Sequence, residues 1–124
     1  MTVTNVDGEI SFTTSKELRI PVGIHFEVDT NTIFNIPKGM VMIIISNKYT
    51  ALHYGINVMP SPLIISSDET GKNLTIPVIW DGINRYRTEI DLRGCVKIPA
   101  NTCIARAIFV NISQYCYMAN TNEE

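Results

Sequence analysis

The stretch from Phe34 to Ser66, FNIPKGMVMIIISNKYTALHYGINVMPSPLIIS, limits what this chain can fold into more than any other. Met40 to Ile45 is an unbroken apolar run of six residues. A run of that length suits a strand buried on both faces and is too short for a buried helix, so it is expected to form the central strand of the core. Ser46 and Asn47 follow with oxygens able to cap a helix. Lys48 to Tyr54 suits one or two helical turns, and Gly55 stands where a left-handed C-cap would close them. Ile56, Val58 and then Leu63 to Ile65 return the chain to strand, with Pro60 and Pro62 bending the path between. The start of such a helix offers unpaired N–H groups and a partial positive charge, where an anion such as a phosphate can sit, and Lys48 adds a full charge. The same pattern also fits a connecting helix carrying a solvated lysine.

On either side of this unit the chain reads as short strands. Residues 1–16 are polar and rich in Thr, with Ile10 and Phe12 alternating as in a short edge strand. Leu18, Ile20, Val22, Ile24, Phe26 and Val28 alternate with polar or small partners, which predicts one half-buried strand with His25 on its polar face; Asp29 to Asn31 break it. The segment SSDETGKN after Ile65 collects turn formers and predicts a tight hairpin, with Gly71 available for a positive φ. Leu74 to Trp80 is a further strand, and Pro77 places that position at an edge or bulge. After Asp81 and Gly82, Tyr86, Thr88, Ile90 and Leu92 alternate with Arg87, Glu89, Asp91 and Arg93, a strand whose mixed charged face is solvated or meets another subunit. Val96 and Ile98 lead through a turn at Pro99 to Thr102 into a last long strand, Ile104 to Ile112. The tail SQYCYMANTNEE offers Tyr115, Tyr117 and Met118 as anchors onto a neighbour. Eight or nine short strands and one short helix point to an all-β barrel or jelly roll in a single domain spanning 1–124, with residues 1–16 an edge segment and 113–124 a tail.

The bulk properties exclude several classes of function. With 45% hydrophobic and 18% charged residues the chain has the apolar content of a globular domain. A net charge of −2 lacks the basic footprint of a duplex-binding protein. No apolar stretch approaches the roughly 20 residues that span a bilayer, and MTVTNVDGEI lacks the basic start and apolar core of a leader, so a cytoplasmic location and no membrane partner are expected. Cys95, Cys103 and Cys116 are odd in number and show no C-x-x-C spacing, which predicts free thiols. The sequence holds no P-loop, no Ser-His-Asp or Cys-His spacing and no metal-ligand cluster. His53, beside Tyr54, reads as a surface or interface residue.

The order of these pieces resembles the trimeric dUTPase family. That family's Val-Pro-Thr-Gly-Ile turn corresponds to Ile20-Pro21-Val22-Gly23-Ile24, and its Ile-Pro-x-Gly hairpin to Ile36-Pro37-Lys38-Gly39. Its Arg-Ser-Gly-Leu-Ala helix, followed by His-Gly-Ile, falls without a gap on Asn47-Lys48-Tyr49-Thr50-Ala51 and Tyr54-Gly55-Ile56. Its late Gly-Asp-Arg-Ile-Ala-Gln strand is similar to Asn101-Thr102-Cys103-Ile104-Ala105-Arg106. The likeness runs from Leu18 to Val110 and implies a dUTPase-like β-clip or jelly-roll barrel assembled as a homotrimer.

For the site, the resemblance implies that Asn47, Lys48 and Thr50 hold phosphate. Ser66, Asp68, Glu69 and Gly71 would hold base and sugar. Arg106, or an arginine of Arg85-Tyr86-Arg87, would reach across from a neighbouring subunit. Magnesium would enter only with a phosphorylated ligand, and no resident cofactor is implied. The catalytic pattern is broken at several points. Asn47 and Lys48 replace the family's Arg-Ser pair, Ser66 stands at its catalytic Asp, and Glu69 stands at its stacking Tyr. Its Gly-Tyr-Asp-Leu motif and glycine-rich C-terminal arm have no counterpart. Hydrolysis needs a base to activate water, typically worth about 10² to 10⁴ in rate, and a serine hydroxyl does not supply one. The resemblance therefore implies an inactive relative that binds and sequesters a nucleotide or nucleotide-derived signal. The Ile- and Asn-rich usage suits an AT-rich viral genome, and soaking up a host-defence signal is a role that fits. Two alternatives stay open. One is a module binding a host or viral protein through residues 81–93 or the tail; the other is an active diphosphatase in which Asp68 is the base and Asp68 with Glu69 holds magnesium.

Overall fold

Eleven strands, one α-helix and one 3-10 turn make up the residues described by the computed structural model, 1–86 and 88–112. Five strands form an antiparallel sheet in the order β1 (Thr2–Val6), β2 (Glu9–Thr13), β11 (Cys103–Asn111), β5 (Met40–Ser46) and β7 (Leu63–Ser66). A second sheet orders β4 (Phe26–Ile33), β8 (Asn73–Trp80) and β6 (Ile56–Val58); a third orders β3 (Leu18–Ile20), β10 (Val96–Ile98) and β9 (Glu89–Ile90). The single α-helix of the described residues, α1 (Lys48–Tyr54), links β5 to β6. This is the expected all-β architecture with one short helix.

One apolar cluster fills the space between the sheets. Ile10, Phe12, Met42, Ile44, Ala105 and Ala107 of the five-stranded sheet meet Val28, Ile56, Val58, Ile76, Val78 and Trp80 of the second, and Ile20, Val96 and Ile98 of the third complete the cluster. The alternation along each strand puts these residues on inner faces, and Phe12 meets Phe34 edge to face at 6.1 Å. Truncating one such side chain, Met42→Ala for instance, costs about 2–5 kcal/mol because the close-packed surroundings collapse only in part.

Several expectations are corrected by the pairing. β11 rather than β5 is the middle of its sheet, and β5 is not buried on both faces: Ile45 is 48% exposed. β2 is internal, with the edge formed by β1, which pairs Val3 with Phe12. The strand predicted from Leu18 to Val28 is two strands in two sheets. Pro21 and Gly23, the latter at φ +70°, break the ladder, and Val22 and Ile24 are 50% and 61% exposed despite their alternation. The Asp29 to Asn31 break is a bulge within β4; Asn31 takes φ +52° and donates its N–H to Asp29 Oδ1 at 2.7 Å. Residues 66–73 are not a hairpin, because β7 pairs with β5 while β8 pairs with β4 and β6, so this segment crosses between sheets. Pro77 lies in the middle strand of its sheet. Its carbonyl accepts from Met59 N at 3.0 Å just past the end of β6, so the missing N–H falls where the ladder has already stopped. The strand expected over 86–92 shrinks to Glu89–Ile90, with Tyr86 and Leu92 fully exposed.

Candidate functional site

The helix is built as its sequence suggests. Asn47, in extended backbone, accepts from Thr50 N through Oδ1 at 3.1 Å, and Gly55 at φ +73° donates to Ala51 O at 3.0 Å. Ser46 does not cap; its Oγ accepts from Val58 N at 2.9 Å and ties β5 to β6. Thr50 is 1% exposed and donates its hydroxyl to the Cys103 carbonyl, which fastens α1 to the start of β11. Asn47 and Thr50 thus spend their side chains holding the helix in place. Lys48 is exposed, beside Tyr49 and Leu52, and the Tyr49 and His53 rings stack at 4.0 Å.

A clamp at the other end of α1 escaped the sequence reading. Asp81 accepts two hydrogen bonds from the Arg85 guanidinium, at 2.8 and 2.6 Å, and Asp81 N donates to Gly55 O at 3.2 Å. The bonds from Arg85 hold the Asp81 carboxyl below the usual carboxylate range. The pair lies against Gly55 so closely that a Cβ there would come within 2.3 Å of Arg85 Nη1. Arg85 is therefore engaged within its own subunit. The four-residue spacing of Asp81 and Arg85 was the available signal, but it is normally read on helices and none forms here. Arg87, Cys116 and the tail anchors Tyr115, Tyr117 and Met118 lie outside the described residues.

The second group sits on the crossing segment. Ser66 donates its N–H to Glu69 Oε1 at 3.3 Å across a 3-10 turn, Ser67–Glu69. Thr70 Oγ1 accepts from Ile36 N at 3.0 Å, which holds this turn against the Ile36-Pro37-Lys38-Gly39 loop. Gly71 takes φ +90°, as expected, with open space where a Cβ would stand. Asp68 and Glu69 are exposed. Beneath the turn lies a cavity of about 130 Å³ with Ile36, Met42 and Leu74 at its floor and Glu69, Lys72 and Asn73 at its rim.

These groups do not meet within one subunit. β7 is antiparallel to β5 with Ser66 opposite Val41, whereas α1 starts just beyond Ser46, so the two groups flank β5 at opposite ends. At about 3.4 Å per residue the separation is roughly 20 Å. Arg106 stands opposite Ile45, at the helix end of β5, and is ion-paired with Glu9. Among the described residues no group of three His, Cys, Asp or Glu side chains is arranged to hold a metal ion, and Cys95 and Cys103 are free thiols. No helix among them is long and apolar enough to cross a membrane.

No family model and no curated protein matches the sequence. Solved structures do. The dUTPase of Staphylococcus bacteriophage 80alpha superposes with a TM-score of 0.69 at 16% identity, covering 90% of this chain and 83% of that one. A mutant of the phage 80alpha dUTPase, from a study of enzymatic activity and SaPI induction, gives 0.69 at 14% identity over 90% and 77%. The dUTPase of phage phi11 of S. aureus gives 0.65 at 18% identity over 88% and 79%. Over nine-tenths of its length, the chain has the fold of the phage dUTPases.

Proposed function

We propose that the protein is a catalytically inactive dUTPase-like trimer that binds a nucleotide or a nucleotide-derived signal between its subunits and withholds it, with magnesium accompanying the phosphates. The observation that carries this reading is the roughly 20 Å between Lys48 and the Ser66 to Gly71 turn along β5. A ligand touching both must lie between copies. Lys48 is the exposed cation at the helix start, and the turn with its apolar cavity offers the base and sugar side. Ser66 at the position of the family's catalytic carboxylate leaves no base aimed at a water there, so binding without turnover is the outcome. The likeness to phage proteins supports a viral origin, and withholding a nucleotide signal of host defence is the role proposed for such binding.

The test is native mass spectrometry of the protein mixed with mono-, di- and triphosphate nucleotides, cyclic dinucleotides and magnesium. An intact nucleotide retained on a trimer, and lost on Lys48→Ala with the fold unchanged, supports sequestration. Pyrophosphate release would identify an active enzyme instead. An assembly carrying nothing refutes the reading and favours a protein-binding module. The exposed Tyr86 and Leu92, and the described link between phage 80alpha dUTPase and SaPI induction, are the observations behind that second reading.

A further inference from the structure

The cavity beneath the Ser67–Glu69 turn carries two charges that the fold does not use. Its volume of about 130 Å³ is well below the roughly 300 Å³ from which a site encloses a drug-sized ligand, so it takes one ring system rather than a whole nucleotide. The floor is apolar, with Ile36, Met42 and Leu74 each less than a tenth exposed. The polar lining is Glu69, Lys72, Asn73 and Thr75. Asn73, the one carboxamide among them, donates Nδ2 to Asp29 Oδ1 at 2.5 Å and is held toward β4. Glu69 accepts from Ser66 N at 3.3 Å and from Ser66 Oγ at 3.4 Å; both bonds fall on Oε1 and fix the carboxylate on the turn. Among the described residues neither Glu69 nor Lys72 belongs to an ion pair, with each other or with a third group. The rim thus presents one group that only accepts and one that only donates.

We infer that this cavity selects guanine, with Glu69 accepting from the ring N1–H and the 2-amino group while Lys72 donates to O6. The inference rests on the nucleotide site proposed above and narrows its ligand to one base. A ring entering the cavity takes water from the Glu69 carboxylate, which costs free energy unless the ligand returns donors in the same place. Guanine is the common base whose pairing edge sets two donors side by side. Uracil offers a single N3–H between two carbonyl oxygens, and adenine and cytosine each place one amino group beside a bare ring nitrogen. Against any of these the carboxylate gains one hydrogen bond and turns its other oxygen to an acceptor. A site built in this way rejects the wrong ligand because its own polar groups go unpaired. The apolar floor accepts any flat ring, so the choice among bases lies with Glu69 and Lys72.

Equilibrium dialysis of the full chain with magnesium tests it, using GTP, ITP, ATP and UTP together with cyclic di-GMP and cyclic di-AMP. Whichever phosphate form is retained, its guanine member should bind at least about tenfold more tightly than the others, ITP included, because inosine lacks only the 2-amino donor. Glu69→Gln keeps the capping box, in which glutamine serves as well as glutamate, but sets a donor beside an acceptor. The variant should lose the preference for guanine and gain affinity for UTP, whereas a merely structural role for Glu69 would weaken all nucleotides alike. Lys72→Met should weaken GTP and ITP equally, since both carry O6. Equal binding of all bases to the wild type, or tightest binding of UTP, would overturn the choice of base while the nucleotide site stands. Retention of none of these probes would overturn both this inference and the nucleotide-binding reading.

Discussion

Gly55→Ala should be among the most informative single substitutions in this protein, because two separable effects meet at one Cβ. The first is conformational: Gly55 sits at φ +73°, and an L-residue in the left-handed region costs about 1–2 kcal/mol. The second is steric: the new methyl would lie 2.3 Å from Arg85 Nη1 and 2.5 Å from Asp81 Oδ1. Both atoms end flexible side chains, so they move aside and the loss is that of a partly exposed ion pair, at most about 1 kcal/mol. The sum is about 1–3 kcal/mol, or roughly 3–6 °C in Tm for each kcal/mol at this chain length. Urea unfolding at fixed protomer concentration is the assay, run in wild-type and Arg85→Ala backgrounds. In the Arg85→Ala background the alanine should cost only the conformational 1–2 kcal/mol. An equal cost in both backgrounds would show that the clamp does not press on the helix end, and a cost below about 0.5 kcal/mol would refute the left-handed cap itself.

Asn47→Ala removes the acceptor for Thr50 N and should destabilise the protein by about 1 kcal/mol, seen as a lower urea midpoint with an unchanged slope. Thr50→Val keeps the volume but leaves the Cys103 carbonyl without its hydroxyl donor, so a loss of about 1–3 kcal/mol is expected from the same assay. The Asp91 carboxylate accepts N–H bonds from Cys95 and Arg93, both at 2.9 Å, and meets Arg19; its pKa is lowered first by the Cys95 bond. A depressed folded pKa gives stability that is complete above the unfolded value of about 4 and disappears as pH falls through the folded one. Urea midpoints should therefore drop below about pH 4, and Asp91→Asn should flatten that drop.

The strand-helix-strand unit was legible because its signals are local. An Asn cap, helix-compatible residues and a Gly close a helix within one stretch, and the observed Lys48–Tyr54 matches that reading. Strand identity from Leu74 to Trp80 and from Ile104 onward was legible for the same reason. What period-2 alternation does not carry is partnership. Val22 and Ile24 alternate as well as Ile20 and Val28 do, yet only the latter two reach the core, because Pro21 and Gly23 redirect the chain between sheets. The turn after Ile65 has hairpin chemistry, but whether its flanking strands pair depends on β5 and β4 competing for them. The position of Lys48 at the start of α1 could be read from sequence, whereas the engagement of Thr50 with Cys103 joins residues 53 positions apart and leaves no local trace.

The position of β11 has a consequence for how the molecule is made. The middle strand of the five-stranded sheet is the last one in the described chain, and it pairs Ala107 with both Ile10 and Ile44. Until β11 has left the ribosome, β2 and β5 each lack their shared neighbour, so this sheet cannot close on its earlier strands alone. Closing such distant pairings belongs to the slow end of single-domain folding, in milliseconds to seconds. During that wait the apolar strand Met40–Ser46 is left without its central partner, and the nascent protein is at its most prone to aggregate.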